Sequence, residues 1–192
     1  LDLVMSALLF DYPYELYWYD KTYGATEQYC YAGSRSYSGI NDTVYLDFFQ
    51  FSLTLSQDYA VISGKYWYPN QPDLTKLAKA PAALAEAKRV VAANAEKSDY
   101  EKLVAYKDYI CNAVSYNSAA SDNKNYPYGN PWQVIYVFDG NSRTNVVCEG
   151  YAKAFQYLCD LSGLDCICAD GITNGPHMWN VVTLDGKNYI AD

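Results

Sequence analysis

Two stretches near the C-terminal end decide the fold: VVCEGYAKAFQYLCDLSG (146–163) and PHMWNVVTLDGKNYIAD (176–192). In the first stretch, apolar residues recur at helical spacing from Cys148 onwards. Gly163 then stands in the position past a helix end where glycine is common. The sequence therefore predicts an amphipathic helix over about 148–161.

The second stretch predicts a β-hairpin. Its apolar residues alternate on both sides of Asp185-Gly186, a dipeptide typical of two-residue hairpin turns. We expect strands over about 178–184 and 188–191, preceded by a strand over about 165–169. Elements of this type and order indicate an α+β fold in which the helix packs on an antiparallel sheet.

The hairpin brings the only histidine close to a carboxylate. With a two-residue turn, Leu184 pairs with Lys187, and His177 faces the position two residues beyond Asp192. Asp192 then shares a face of the sheet with His177 and is its diagonal neighbour. We therefore expect a hydrogen bond between the imidazole and the carboxylate.

Cys148 has the features of a nucleophile. It stands at the start of the predicted helix, where backbone N–H groups and the positive end of the helix dipole favour thiolate over thiol. A thiolate works best beside an imidazole, and His177 is the only candidate in the chain. Asp192 would hold the second ring nitrogen and fix the tautomer. The alternative is a buried, inert cysteine, a common fate of this residue type.

Composition bounds the class of protein. The 192 residues, 51% of them hydrophobic, suffice for one ordinary domain or a small pair. A formal net charge of -8 repels phosphate backbones, so nucleic acid is not an expected partner. No apolar run approaches the length of a membrane-spanning helix, so we expect no membrane insertion, and no cofactor is predicted. Because the chain opens on Leu1 without a basic leader, we expect a processed or excised piece.

Three cysteines, Cys159, Cys166 and Cys168, are predicted to fill core. Six cysteines are too few for a disulfide-held scaffold in a chain of this length, although one disulfide remains open. Cys166 and Cys168 share one face of a predicted strand, with Cys159 near them. Since there is no CxxC spacing and no second histidine, zinc is disfavoured and no metal is predicted.

The chain divides into a predicted N-terminal β-rich extension over 1–70 and a helical lead-in with the core over 71–192. The extension opens with a short apolar helix. Alternating aromatic and β-branched runs then predict strands, with SYSGIND (36–42) as a turn signal. These runs are ELYWYD (15–20), the segment around YCYAG (29–33) and TVYLDFFQFSLTL (43–55).

Two helices are predicted before the candidate site. Residues 73–97 are rich in Ala, Leu, Lys and Glu, with Pro81 as an interior kink or restart. Ser98 and Glu101 form a capping-box signature for a second helix that ends near Asn112. One face of this second helix is expected to carry four residues: Leu103, Tyr106, Ile110 and Cys111.

The two quoted stretches resemble the core of the transglutaminase-like superfamily. Its hallmark is a cysteine at a helix start, a histidine on the next strand and an aspartate on the strand after; the matching positions are Cys148, His177 and Asp192. SDYEKLVAYKDYICNAVSYN (98–117) is similar to the family's preceding helix, and DYPYELYWYD (11–20) resembles the N-terminal extension of many bacterial members. The resemblance implies a papain-like Cys-His-Asp triad in a bacterial protein.

The preceding helix departs from the family pattern at one position, and two residues before Cys148 are candidate oxyanion donors. Family members often carry a histidine before the Asp-Tyr of the preceding helix, where this chain has Lys107. An oxyanion donor could come from Gln133 or Trp132, in a short buried element (132–138) of an otherwise loop-like segment (115–145). The alternative is that Trp132 packs in the core and Gln133 caps a loop.

The resemblance implies attack of Cys148 on a carboxamide or peptide carbonyl, which gives a thioester acyl-enzyme. His177 then protonates the departing amine and activates the acceptor. An amine acceptor makes the protein a transglutaminase, water makes it a peptidase or amidase, and the sequence does not choose. Trp179 is expected to shape the site. Two alternatives remain: a small-molecule acyl donor, and a non-catalytic binding or cell-surface module that keeps the fold.

The expected partner is a protein or peptide substrate, including one at a cell surface. The chain has 22 tyrosines, many Asn and Ser residues and only 19% charged residues. Its surface is therefore solvated by hydroxyl and amide groups as much as by ions. This composition favours an extracellular or cell-surface setting and leaves the oligomeric state open.

Overall fold

Helices and strands both build the fold, which is α+β as predicted. The computed structural model of the chain describes most of its residues, and the predicted turn SYSGIND lies outside them. The described ranges are 2–20, 25–32, 45–123, 125–126, 132–141 and 143–192.

The N-terminal part contains a helix, α1 (Asp2–Asp11), and two antiparallel strand pairs. The short helix is confirmed, and so are the strands in the YCYAG and TVYLDFFQFSLTL segments. The pairs are formed by β1 (Ala25–Ala32) with β2 (Tyr45–Leu53), and by β3 (Ala60–Ser63) with β4 (Tyr66–Pro72).

The alternation in ELYWYD (15–20) does not form the predicted strand. These residues make turns after α1, and their strand-like contact is an isolated bridge from Tyr19 to Leu55. Tyr14 and Tyr17 are buried in the main core cluster, whereas Tyr19 is buried in a smaller one. Because the tyrosines serve two different clusters, tertiary packing overrides the period-two pattern.

The Ala-rich segment forms two helices, α2 (Leu74–Leu77) and α3 (Lys79–Ala93), which are separated at Ala78. Pro81 therefore lies in the first turn of a new helix. Of the two predicted outcomes, an interior kink and a restart, the structure has the restart. Proline is tolerated there because first-turn N–H groups have no acceptor inside the helix.

The next helix, α4 (Asp99–Ala113), begins at the predicted capping box. The carboxylate of Glu101 accepts the backbone N–H of Ser98 at 3.0 Å. Of the four residues expected on one face, Tyr106 and Ile110 are buried and Leu103 is partly buried. Cys111, by contrast, is exposed.

The described residues between α4 and the candidate nucleophile form short elements only. One of them, a 3-10 helix over Val134–Val137, is buried along its whole length. The predicted short buried element is therefore confirmed. The other short elements are β5 (Ser115–Tyr116), which pairs in parallel with β6 (Asn145–Val146), and α5 (Ser118–Asp122).

The C-terminal elements follow the prediction, with bounds that shift by a few residues. The helix is α6 (Cys148–Leu161). The strands form one antiparallel sheet in the order β7 (Cys166–Ile172), β8 (Pro176–Leu184) and β9 (Lys187–Ala191). The predicted register is confirmed, since Leu184 pairs with Lys187 across the turn.

Helix α6 is enclosed by the rest of the fold. It contacts β7 and β8 of the sheet as well as α3, α4 and the 3-10 helix. The main core cluster includes Ala154, Phe155 and Leu158 of this helix together with Tyr14 and Tyr59 of the N-terminal part. The division of the chain near residue 70 stays a prediction.

None of the helices in the described residues has both the length and the apolar composition that a membrane crossing requires.

Candidate active site

Cys148 is the first residue of α6. Val147 precedes the helix in an extended conformation, with φ -91° and ψ 178°, and its side chain makes no capping hydrogen bond. The first-turn N–H groups of a helix have no acceptor inside it, so they are donors for a group bound at the helix start. Cys148 is half-buried and packs against Ala152, Cys168 and Met178.

His177 and Asp192 form the hydrogen-bonded pair expected from the hairpin register. Nε2 of His177 lies 2.9 Å and 3.1 Å from the two carboxylate oxygens of Asp192. A carboxylate only accepts, so the ring proton that joins them belongs to Nε2. The second ring nitrogen, Nδ1, is then the one that can accept a proton from a nucleophile.

Trp179 lies beside this pair. Its ring stacks against the imidazole of His177, with centroids 5.8 Å apart and planes inclined by 30°. The indole also lies over Gly171, where an added Cβ would sit 2.8 Å from Cη2 of Trp179. A glycine at this point of β7 therefore lets the indole reach the position next to the imidazole.

A cavity of about 540 Å³ joins these groups. Cys148 lies at the start of α6, and the His177–Asp192 pair lies at the end of the sheet where β8 begins and β9 ends. The described residues that line the cavity are Leu103, Val104, Lys107, Ile110, Cys111, Tyr116, Cys148, Tyr151, Ala152, Phe155, His177, Met178, Trp179, Asn180, Ile190, Ala191 and Asp192.

Helix α4 supplies one wall of the cavity, which the sequence did not predict. Its contributions recur at helical spacing, as in Leu103, Lys107 and Cys111. Lys107, which stands where family members often carry histidine, pairs with Asp108, and this contact raises the pKa of the lysine. The apolar residues that recur at helical spacing along α4 are the sequence signal from which this side of the cavity could have been predicted.

Two buried amides fasten α6 to its neighbours. Nδ2 of Asn180, on β8, donates to the carbonyl oxygen of Ala152 at 3.0 Å. Gln156, on α6, donates from Nε2 to the carbonyl oxygen of Phe10 at 3.0 Å and accepts the backbone N–H of Cys168 at 2.5 Å. These bonds hold the helix that carries Cys148 against the sheet that carries His177.

A buried ion pair lies one turn into α6. Nζ of Lys153 is 2.7 Å from a carboxylate oxygen of Glu149, and the two side chains are 5% and 8% exposed. Cys168 lies near this pair, and burial raises the pKa of its thiol to about 12. That thiol is therefore kept protonated and inert.

The structure does not place the predicted oxyanion donors on the described lining of the cavity. Gln133 is buried, and its Nε2 has no hydrogen-bond partner within the described residues. The ring of Trp132 lies 5.9 Å from that of Tyr126. A buried, unpaired amide donor is a feature that a substrate oxygen could satisfy, and the oxyanion role stays a prediction.

The three cysteines discussed for a metal, Cys159, Cys166 and Cys168, are buried as free thiols. Cys166 hydrogen-bonds to Cys159, and this contact together with burial raises the pKa of the Cys166 thiol. Across the described parts of the chain, no group of three His, Cys, Asp or Glu side chains could hold a metal ion.

The fold and the cavity define the class: an α+β domain in which a cysteine at a helix start shares a cavity with a hydrogen-bonded histidine–aspartate pair. A family profile described as the transglutaminase-like superfamily matches residues 86–191, more than half of the chain. The chain belongs to the transglutaminase-like superfamily. This family consists in general of cysteine-dependent acyltransferases and peptidases.

Two curated proteins are similar to part of the chain. It is 28% identical over 108 residues to the kyphoscoliosis peptidase of Homo sapiens and 27% identical over 108 residues to that of Mus musculus. Each alignment covers 50% of this chain and 15% of the peptidase, so the chain matches a small part of these relatives. A solved structure described as a crystal structure of a TGase has a TM-score of 0.48 and 20% identity, covering 63% of this chain and 32% of that one.

Proposed function

We propose that the chain is a cysteine acyltransferase or peptidase that acts on carboxamide or peptide carbonyls through Cys148. The observation that carries the proposal is the hydrogen bond between His177 and Asp192 at the edge of a cavity that Cys148 also lines. Nucleophile, base and orienting carboxylate are the parts that this chemistry requires.

In the proposed first half-reaction, Nδ1 of His177 takes the thiol proton and the sulfur of Cys148 attacks the carbonyl carbon. The bond from that carbon to nitrogen then breaks, and the imidazolium gives its proton to the departing amine. Asp192 stabilises the imidazolium through the Nε2–H. The product is a thioester on Cys148 and a free amine, so atoms and charge balance.

In the second half-reaction, an acceptor gives a proton to His177 and attacks the thioester carbonyl carbon. The bond from that carbon to the sulfur of Cys148 then breaks, and the imidazolium returns its proton to the thiolate. A primary amine as acceptor gives transglutamination, and water gives hydrolysis. The carbonyl oxygen carries negative charge in both steps. The first-turn N–H groups of α6 are the donors that support its stabilisation, with Gln133 or Trp132 as the proposed side-chain donor.

A mass-spectrometric turnover assay tests the proposal. A library of glutamine-containing peptides is incubated with the protein, with and without a primary amine. We expect the mass of the amine adduct or of the hydrolysed product to appear, and to disappear in Cys148→Ala and His177→Ala.

Cys111→Ala is the matched control for this assay. Cys111 is a thiol on the same cavity, but it stands in the last turn of α4 and not at a helix start. We expect this variant to retain turnover. Absence of product from the unmodified protein, or product that persists in Cys148→Ala, would favour the alternative of a non-catalytic binding or cell-surface module.

An extracellular or cell-surface location and a protein or peptide substrate belong to the same proposal. They rest on the tyrosine-rich composition with 19% charged residues, and on the family's chemistry. Digestion of intact cells with a protease that cannot enter them tests the location. Loss of the chain supports exposure at the surface, whereas its survival with intracellular markers contradicts it.

A further inference from the structure

Several large apolar side chains on the cavity wall are exposed to solvent. Val104 on α4 is 37% exposed, Tyr116 on β5 is 47% exposed and Ile190 on β9 is 74% exposed. We call these three residues the apolar wall. Their exposure costs solvation free energy in the free protein, and a bound apolar group would recover it.

The apolar wall borders the groups proposed for catalysis. Ile190, on β9, lies two residues before Asp192, and Tyr116 stacks against Tyr151 of α6 with ring centroids 6.2 Å apart. The hydroxyl of Tyr151 in turn donates to the carbonyl oxygen of Val114 at 3.2 Å. Part of the wall is therefore held in place before a ligand arrives.

The charged side chains on the described lining already have partners. Lys107 pairs with Asp108, and Asp192 pairs with His177. An ionic group on a ligand would have to break one of these contacts, whereas an apolar group would not. The lining thus favours an uncharged, apolar ligand side chain.

The cavity is larger than one small amide needs. Its volume of about 540 Å³ falls in the range of pockets that hold drug-sized ligands or short peptide segments. A free amide placed at Cys148 would leave the apolar wall in water. A peptide that carries a bulky apolar residue next to its reacting group would cover it.

We propose that the apolar wall selects peptide substrates in which a bulky apolar residue adjoins the reacting glutamine or peptide carbonyl. This inference rests on the proposed function and deepens it. Val104, Tyr116 and Ile190 are then residues that determine specificity, while Cys148, His177 and Asp192 perform the chemistry.

The test compares two peptides that differ only in the residue beside the reacting glutamine, leucine in one and glycine in the other. We expect kcat/KM to be at least about tenfold higher for the leucine peptide, the discrimination that burial of one aliphatic side chain supplies. In Ile190→Ser the ratio should fall to within about threefold of unity, because most of the apolar contact is lost.

Ile167→Ser is the matched control. Ile167 on β7 is 57% exposed and lies on the same face of the same sheet, since it pairs with Val181, which pairs with Ile190. It is not among the described residues that line the cavity. The control should keep the ratio of the unmodified protein; equal losses in both variants would overturn the inference.

Binding to the Cys148→Ala variant separates this inference from the proposed function. Fluorescence anisotropy of the two labelled peptides should show tighter binding of the leucine peptide even where nothing is turned over. If the leucine peptide binds more tightly but the unmodified protein turns neither peptide over, the specificity role of the apolar wall is supported and the proposed chemistry is contradicted. Turnover or binding that does not distinguish the leucine peptide from the glycine peptide would overturn the specificity role of the apolar wall. It would leave the proposed chemistry of Cys148 unaffected.

Discussion

Single side chains set the chemistry that we propose for this protein. The carboxylate of Asp192 accepts the Nε2–H of His177 at 2.9 Å, so the neutral imidazole carries its proton on Nε2. Nδ1 is thereby available as a base. The side chains of His177 and Asp192 are 24% and 58% exposed.

Replacing Asp192 by asparagine should remove this tautomer control. An amide N–H can donate to Nε2, which would stabilise the tautomer with its proton on Nδ1 and leave no base for the thiol. We expect kcat to fall by about 10²–10⁴ with a much smaller change in KM. Steady-state kinetics with a peptide substrate measure both.

Asp185→Asn is the control for that substitution. Asp185 is in the turn of the same hairpin with φ 51°, a conformation that asparagine also adopts readily. Its kinetics should match those of the unmodified protein. An effect of Asp192→Asn on KM alone would contradict the role of the carboxylate in catalysis.

Gly171 leaves room for the indole of Trp179 because it has no Cβ. An alanine Cβ would lie 2.8 Å from the Trp179 ring, so Gly171→Ala should displace the indole that stacks on His177. We expect a loss of about 1–3 kcal/mol in the free energy of unfolding and a lower kcat. Urea denaturation and turnover report the two effects. Gly175→Ala, where no atom lies within 4 Å of the added Cβ, should be neutral in both, and equal behaviour of the two variants would contradict this packing.

Helix α6 carries both the proposed nucleophile, Cys148, and a buried ion pair. Lys153→Met should leave the Glu149 carboxylate buried without its ammonium partner. We expect the free energy of unfolding to fall by about 3–5 kcal/mol. Urea denaturation measures this loss, and the double variant Glu149→Gln/Lys153→Met should recover part of it.

Lys102→Met is the control for the ion pair. Lys102 contacts Asp99 at 3.5 Å on α4, where the aspartate side chain is 57% exposed. Such a pair contributes less than about 1 kcal/mol. Similar losses in the free energy of unfolding for Lys102→Met and Lys153→Met would contradict the expectation that breaking the buried Glu149–Lys153 pair costs more than breaking an exposed one.

The elements around the site were predictable because their signals are local. A glycine past the end of α6, the capping box of α4 and the Asp185-Gly186 turn each act over a few residues. Turn length alone set the register that brings His177 to Asp192. Each of these three signals depends on neighbouring residues only, so it can be identified in the sequence without knowledge of the tertiary packing.

What escaped prediction depends on contacts between distant parts of the chain. The tyrosines of ELYWYD alternate like a strand, but Tyr17 is buried in the main core and Tyr19 in a smaller cluster, so the local pattern gives way. Cys111 was grouped with Tyr106 and Ile110 on one face of α4, yet it is exposed and lines the cavity, whereas those two residues are buried. The amides of Asn180 and Gln156 likewise acquire their role only when α6 meets the sheet.

At the scale of the whole molecule, buried tyrosines link stability to alkaline pH. Burial raises the pKa of Tyr136 and of Tyr157 from 10.0 to about 12. The unfolded chain therefore ionises first, and this contribution to stability is present below pH of about 10 and is lost as pH rises to about 12.

We expect the free energy of unfolding to be lower by at least about 1 kcal/mol at a pH of about 11 than at about 9. Urea denaturation at the two pH values measures the difference, and Tyr157→Phe should reduce it. A free energy of unfolding that is constant or higher at the alkaline pH would contradict the burial of these hydroxyl groups.

Alkylation by iodoacetamide, followed peptide by peptide with mass spectrometry, tests most directly whether Cys148 is an activated nucleophile. Cys148 and Cys111 line the same cavity in the same molecule, and Cys111 is the more exposed of the two. Activation predicts that Cys148 reacts at least about tenfold faster than Cys111 at neutral pH, and that His177→Ala removes this advantage. Slower reaction of Cys148 than of Cys111, unchanged by His177→Ala, would contradict it.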